Sequence, residues 1–141
     1  MAGTRIAFVV EIMNFSGAPQ LGAVLVIDDD SAILSLVKKA LEREGYTVYT
    51  ASSAVEGIKL YEAHWRNIEV VLLDFWMPGL NGDHVLEHLK TIDPGVRIIL
   101  LTGDKYSFER QLRTSGICGC IEKPFDIMEL SERVHQAADP H

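Results

Sequence analysis

The stretch Val24-Leu-Val-Ile-Asp-Asp-Asp30 joins four consecutive apolar residues to three carboxylates. An apolar run without polar alternation is typical of a β-strand that is covered on both faces. Two further runs of this kind, Val70-Val-Leu-Leu73 and Ile98-Ile-Leu-Leu101, are followed directly by Asp74 and Thr102. The three runs therefore predict central strands of a parallel sheet, with polar side chains at the point where each strand ends.

Helical patterns separate these strands along the chain. Apolar residues at three- and four-residue spacing predict helices at positions 31–41, 53–65, 83–90, 105–114 and 126–137, with Ser31 capping the first and Gly45 ending it. The five predicted strands are 23–27, 46–50, 68–73, 96–101 and 117–121, and the polar face of the second favours an edge strand. Alternating strands and helices with right-handed crossovers predict a doubly wound α/β sheet, whose ligand site lies at the carboxyl ends of the strands.

Composition narrows the possible functions. The chain has 141 residues, enough for one domain with tails, and a formal net charge of -7 that argues against direct binding of nucleic acid. Its apolar run Ile6–Phe15 has ten residues and contains Glu11, whereas a membrane span needs about 20, so no membrane contact is predicted for this segment. The lone pair Cys118 and Cys120 forms neither a zinc motif nor a disulfide framework, and free thiols favour a cytoplasmic location.

Three carboxylates are expected to meet in one cleft, because Asp28, Asp29 and Asp74 all follow central strands. Such crowding is costly unless a cation neutralises it or the pKa values rise. Carboxylate ligands without His or Cys favour magnesium or calcium over zinc, and magnesium is usual in phosphoryl-transfer sites. Thr102 and Lys123, each placed at another strand end, provide a hydroxyl and a positive charge that suit phosphoryl oxygens.

Four motifs carry a family resemblance: Val24-Leu-Val-Ile-Asp-Asp-Asp30, Leu72-Leu-Asp-Phe-Trp-Met-Pro-Gly79, Ile98-Ile-Leu-Leu-Thr-Gly103 and Glu122-Lys-Pro-Phe125. In this order they resemble the receiver domains of two-component response regulators. The resemblance covers residues 22–138 and leaves 1–21 as an N-terminal extension or linker and 139–141 as a tail. It implies a flavodoxin-like fold, a five-stranded parallel sheet of strand order 2-1-3-4-5 with helices on both faces.

The resemblance also implies a role for each site residue. Asp74 would accept a phosphoryl group from the phosphohistidine of a sensor histidine kinase or a histidine phosphotransfer domain. The Mg²⁺ ligands would be Asp29 directly, Asp28 through water, Asp74, and the backbone carbonyl of Trp76. Thr102 and Lys123 would bind the phosphoryl oxygens, and Lys123-Pro124 resembles the cis peptide of the family. The domain would thus catalyse its own phosphorylation and slow dephosphorylation and, when phosphorylated, switch a protein-interaction surface.

Some positions concern switching, signal lifetime and docking. Cys120 stands at the switch position, where most receivers have a Tyr or Phe that couples to the threonine. Trp76 and Asp104 flank the path of hydrolytic water in the family fold, so both are expected to set the lifetime of the phosphoryl group. The partner is expected to dock on Ile33, Leu34, Pro124 and Phe125.

Alternative interpretations stay open at this stage. A haloacid-dehalogenase phosphatase would use Asp28-x-Asp30, although Ala32 stands where that motif has threonine or valine. A pseudo-receiver would only bind partners. Ala2–Glu11 looks like the last strand of a histidine-kinase ATP-binding domain, so the chain is either the receiver of a hybrid kinase or a stand-alone regulator. His84 and His88 are spaced for a metal site, but the apolar neighbours Val85, Leu86 and Leu89 predict that both face solvent.

Overall fold

The computed structural model describes residues 21–79, 82–103 and 116–138. In chain order its elements are β1 (Ala23–Ile27), α1 (Ser31–Arg43), β2 (Thr47–Ala51), α2 (Ala54–His64), β3 (Ile68–Asp74), α3 (Gly82–Ile92), β4 (Ile98–Thr102), β5 (Ile117–Glu122) and α4 (Ile127–Ala138). All strand pairs are parallel, and the sheet has the order β2-β1-β3-β4-β5. The predicted doubly wound, flavodoxin-like fold is confirmed.

The predicted elements agree with the observed ones apart from their ends. β4 begins at Ile98 instead of Val96, because the Val96 amide donates to the Asp93 carbonyl in the preceding turn. β2 begins at Thr47 because the Tyr46 amide donates to the Leu41 carbonyl. The predicted helix 105–114 lies outside the described residues, as do Asp104, most of the N-terminal extension and the C-terminal tail.

The prediction that Ser31 caps α1 is wrong. Asp30, not Ser31, occupies the N-cap position, and its carboxylate accepts hydrogen bonds from the amides of Ala32 at 2.9 Å and Ile33 at 3.4 Å. Ser31 is the first residue of the helix. At the other end, Gly45 has a φ of 107°, the left-handed conformation that favours glycine after a helix. The predicted stop is therefore confirmed.

The sheet separates two apolar layers. Leu25 and Ile27 of β1 face the layer under α2 and α3, whereas Val24 and Val26 face the layer under α1 and α4. Each of these four side chains has an exposed fraction of 0%. Because the central strands are covered on both sides, their apolar runs need no polar alternation.

Phe75, the residue after β3, packs its ring against the first residue of α3. A Cβ atom added to Gly82 would lie 2.2 Å from Phe75 Cε2, closer than any real contact. The ring of Phe75 therefore lies directly against the start of α3.

A polar cluster fastens α4 to the rest of the domain. His135 of α4 lies with Nε2 2.5 Å from Glu44 Oε1 and with Nδ1 2.8 Å from the hydroxyl of the buried Tyr46. The Ser131 hydroxyl donates to the other oxygen of Glu44. The end of α1, the residue before β2 and the middle of α4 are therefore connected by side chains.

Within the described part of the chain, no helix is both long enough and apolar enough to cross a membrane.

Candidate active site

Four neighbouring strands bring the predicted site residues to one edge of the sheet. Asp28 follows β1, Asp74 ends β3 and Thr102 ends β4, while Lys123 follows β5. The register aligns these ends, since Ile27 pairs with Leu73 and Asp74 pairs with Leu101. Residues separated by up to 95 positions in the sequence therefore meet in one cleft.

The cleft holds three carboxylates. Asp28 and Asp74 are buried and Asp29 is exposed, and one carboxylate oxygen from each lies within 4.8 Å of the others. Among the residues described, this is the one group of three or more side chains that could hold a metal ion. A set of oxygen donors open to solvent on one side suits a hard divalent cation such as Mg²⁺, which keeps several of its waters.

Lys123 bridges the two buried carboxylates. Its Nζ lies 2.7 Å from Asp28 Oδ2 and 3.3 Å from Asp74 Oδ2. The Lys123 amide also donates to the Thr102 carbonyl at 2.7 Å, and the Lys123-Pro124 peptide is cis. Contacts of both the side chain and the backbone of Lys123 thus hold its ammonium group beside Asp74.

Burial and the neighbouring charges of the cleft shift two pKa values. Burial raises the pKa of Asp74 and the nearby Asp28 raises it further, while the Trp76 amide and Lys123 oppose the rise. Burial lowers the pKa of Lys123, but the hydrogen bond and charge of Asp28 with the charge of Asp74 outweigh it and leave this pKa raised. Lys123 therefore stays positively charged, and a bound cation would oppose the rise at Asp74.

Trp76 contacts the site with both its backbone and its indole. Its amide donates to Asp74 Oδ1 at 3.0 Å, and its indole Nε1 donates to Thr102 Oγ1 at 3.1 Å. Trp76 has an exposed fraction of 60%, whereas that of Thr102 is 0%. From the sequence, Trp76 was expected to offer its backbone carbonyl to the metal and to shield the phosphoryl group with its side chain. The hydrogen bond to Thr102 was not predicted, because no local pattern indicates a side-chain contact across 26 positions.

The remaining predicted positions lie around the cleft. Cys120 is buried in the layer under α2 and α3, pairs with Leu100 and accepts a hydrogen bond at its carbonyl from Arg133. Pro124 is exposed, and the other proposed docking residues, Ile33, Leu34 and Phe125, are partly buried against the core. Their roles in switching and docking stay predictions. His84 and His88 are exposed on α3, as the sequence predicted.

Comparison with known proteins decides the family. The sequence model of the family described as response regulator receiver domain matches residues 24–135. This chain belongs to that family. The structure also argues against a haloacid-dehalogenase phosphatase. Asp30, the second aspartate of that motif, caps α1 with its carboxylate.

The receiver domain is similar to parts of larger proteins and to small ones. It is 30% identical over 114 residues to the sensor kinase CckA of Brucella abortus, covering 80% of this chain but 12% of the kinase. It is 28% identical over 112 residues to sporulation initiation phosphotransferase F of Bacillus subtilis, covering 79% of this chain and 89% of that protein. A crystal structure of a receiver domain protein from Clostridium thermocellum superposes with a TM-score of 0.76 at 34% identity, covering 84% of this chain and 94% of that one.

Proposed function

We propose that this receiver domain takes a phosphoryl group from the phosphohistidine of a partner protein onto Asp74, with the help of Mg²⁺. The observation that supports this best is the cleft itself, where three carboxylates have oxygens within 4.8 Å of one another and Lys123 bridges two of them. A single carboxylate that is both fixed and close to compensating charge is what an in-line phosphoryl transfer requires.

The chain's own residues account for the steps. The Asp74 carboxylate attacks the phosphorus while the bond from phosphorus to the imidazole nitrogen breaks, and its electron pair goes to the imidazole. Lys123 and the Thr102 hydroxyl neutralise and bind the phosphoryl oxygens. Later a water molecule attacks the phosphorus, the bond to Asp74 breaks, and the free carboxylate and inorganic phosphate are formed. Asp29 directly, Asp28 through water, Asp74 and the backbone carbonyl of Trp76 would hold Mg²⁺, which would supply positive charge to the phosphoryl oxygens.

The partner in this proposal is a sensor histidine kinase or a histidine phosphotransfer domain that docks on Ile33, Leu34, Pro124 and Phe125. Pro124 and Phe125 directly follow Lys123, so a partner bound there would lie beside the cleft. Because such kinases use ATP, we place the domain in the cytoplasm. The receiver unit is proposed to span residues 22–138, either within a hybrid kinase or as a stand-alone regulator, and the reading frame upstream of Met1 decides between these contexts.

The test is phosphorylation by a small donor. Incubation with acetyl phosphate and Mg²⁺ should add one phosphoryl group to the wild-type protein, detected by intact-mass spectrometry, and none to Asp74→Asn. Asp30→Asn is the matched control, because Asp30 neighbours the cleft in sequence but caps α1, and asparagine is also a good cap. This variant should be phosphorylated like wild type.

Other outcomes have clear meanings. An equal gain of mass in Asp74→Asn would contradict the assignment of the phosphoacceptor. A wild-type protein that gains nothing would favour the pseudo-receiver, which only binds partners. Omission of Mg²⁺, or the change Asp29→Asn, should slow the reaction strongly if the carboxylates hold the cation.

A further inference from the structure

We propose that Trp76 is a positioning residue, whose indole N–H sets the orientation of the Thr102 hydroxyl for phosphoryl transfer to Asp74. This inference rests on the proposed function and adds a residue to its machinery. Trp76 acts through Thr102 and makes no contact of its own with the reacting phosphorus.

Trp76 connects two groups of the cleft, the Asp74 carboxylate and the Thr102 hydroxyl. The Trp76 amide holds Asp74 Oδ1 at 3.0 Å, and its indole Nε1 reaches Thr102 Oγ1 at 3.1 Å. Between them, the Phe75 amide donates to the Leu101 carbonyl at 3.2 Å, which continues the pairing of β3 with β4 beyond Asp74. The acceptor carboxylate and the hydroxyl are therefore fixed relative to each other by the two N–H groups of Trp76.

In the hydrogen bond between Trp76 and Thr102, the indole N–H is the donor and the hydroxyl oxygen is the acceptor. A threonine hydroxyl has one proton to donate and two lone pairs, whereas an indole N–H can only donate. When Thr102 Oγ1 accepts from the indole, one lone pair is used and the hydroxyl proton must point away from the ring. An oxygen-bearing side chain at position 76 would lack this selectivity, because it could also accept the hydroxyl proton.

Burial makes the contact effective. Thr102 is 0% exposed, so solvent does not reach its hydroxyl, whereas Trp76 is 60% exposed and reaches it from the mouth of the cleft. With the indole in place, the rotation of a buried hydroxyl is restricted before the donor arrives. Such preorganisation lowers the cost of binding developing negative charge in the transition state.

Trp76→Phe removes the N–H but keeps an aromatic ring. We expect this variant to take up the phosphoryl group from acetyl phosphate about two- to tenfold more slowly, the range that one hydrogen bond supports. Thr102→Val removes the hydroxyl with little change of shape. In the Thr102→Val background the change Trp76→Phe should have no further effect, whereas in Thr102→Ser, which keeps a hydroxyl, the slowing should return.

A second measurement does not depend on phosphorylation. The sequence has two tryptophans, so the indole N–H signals of Trp76 and Trp65 can be assigned by nuclear magnetic resonance with Trp65→Phe. The Trp76 signal should exchange slowly with solvent despite the exposure of the side chain, and Thr102→Val should shift it and speed its exchange. The Trp65 signal is the internal control and should not change.

The outcomes separate this inference from the proposed function. Equal slowing by Trp76→Phe in the wild-type and Thr102→Val backgrounds, or a Trp76 signal unmoved by Thr102→Val, would overturn the positioning role. If the wild-type protein gains no phosphoryl group, the proposed function fails, and with it the catalytic part of the inference. The resonance measurement would then still decide whether the indole holds Thr102.

Discussion

Trp76 places a large ring at the mouth of a cleft whose other residues are mostly buried. The indole is anchored to Thr102 Oγ1 at 3.1 Å, so it lies towards the cleft although much of the residue is exposed. Water that hydrolyses a phosphoryl group on Asp74 must approach the phosphorus from the side opposite the Asp74 oxygen. We expect the ring to lie close to this approach and to exclude water by its bulk.

Replacing Trp76 by asparagine should shorten the lifetime of phosphorylated Asp74. An amide is smaller than an indole and can both donate and accept, so it can position the attacking water. A tenfold faster decay corresponds to about 1.4 kcal/mol in the barrier, which one side chain can supply. The measurement is the decay of the phosphorylated form in excess Mg²⁺ after removal of the donor.

Trp76→Phe is the control for bulk in this decay: it keeps most of the ring, so even with the N–H to Thr102 lost it should not decay faster than wild type. Decay in Trp76→Asn that is equal to or slower than wild type would show that the ring does not shield the phosphorus. Asp104 or the backbone would then set the lifetime.

Most of the site could be predicted residue by residue. Asp28, Asp74, Thr102 and Lys123 each follow a predicted strand, and parallel strands place their carboxyl ends together, so their proximity follows from the order of the chain. The indole contact could not be predicted in this way. It depends on the rotamer of one side chain and on the distance between two strand ends, neither of which leaves a pattern in the sequence.

α4 depends on side chains that the hydrophobic pattern did not single out. The helix was predicted from the spacing of its apolar residues, and in the structure Leu130 and Val134 are the buried residues of its apolar face. The cluster of Glu44, His135 and Tyr46 was not predicted, since it joins residues up to 91 positions apart through polar atoms. Sequence periodicity finds which face of a helix is buried but not which polar groups fasten it.

Removing the Tyr46 hydroxyl should weaken this attachment. In Tyr46→Phe, His135 Nδ1 loses its partner at 2.8 Å in a partly buried place, and we expect the free energy of unfolding to fall by about 1 kcal/mol. Urea denaturation followed by circular dichroism measures the change. Tyr49→Phe is the matched control: Tyr49 is partly buried and stacks on His64, so loss of its hydroxyl should alter stability less. A larger loss in the control would place the important hydroxyl in β2 instead.

The fold of the whole molecule, a sheet with helices on both faces, was predictable because five strands alternate with helices and three strands are apolar throughout. The ends of elements were less predictable, since hydrogen bonds of turns decide them. Val96 and Tyr46 are residue types that favour strands. Yet the Val96 amide donates to Asp93 in the preceding turn and the Tyr46 amide to Leu41 at the end of α1, so neither residue belongs to the sheet. Residue type also could not show that Asp30, and not Ser31, caps α1, because aspartate and serine are both good caps. The position of the Asp30 carboxylate beside the first amides of the helix decides it.

Stability of the whole domain should depend on the ionisation of Tyr61 at alkaline pH. Tyr61 is 1% exposed, and its hydroxyl donates to Asp93 Oδ2 at 3.5 Å. Burial raises the pKa of Tyr61, and the charge and hydrogen bond of Asp93 raise it further. The folded state therefore keeps the phenol proton at pH values where the unfolded chain, with a pKa of about 10, releases it.

The sign follows from proton linkage. Above pH of about 10 the unfolded state binds fewer protons than the folded state, so stability falls as pH rises. Tyr61→Phe should remove this contribution, and the free energy of unfolding of wild type relative to the variant should decrease with pH from about 10 upward. Denaturation curves between pH 7 and 9 provide the reference, where the difference should be constant. A difference that stays constant at higher pH would show that the phenol ionises equally in both states.

The ring of Phe75 against Gly82 has a consequence for how this sequence can change over generations. A methyl group at position 82 would need the space that the ring fills, with 2.2 Å left to Phe75 Cε2. Position 82 cannot change alone: a larger residue there is tolerated only after the ring at 75 has been lost. Descendants of this gene that carry a larger residue at 82 should therefore lack an aromatic ring at 75, whereas those that keep the glycine can keep the ring.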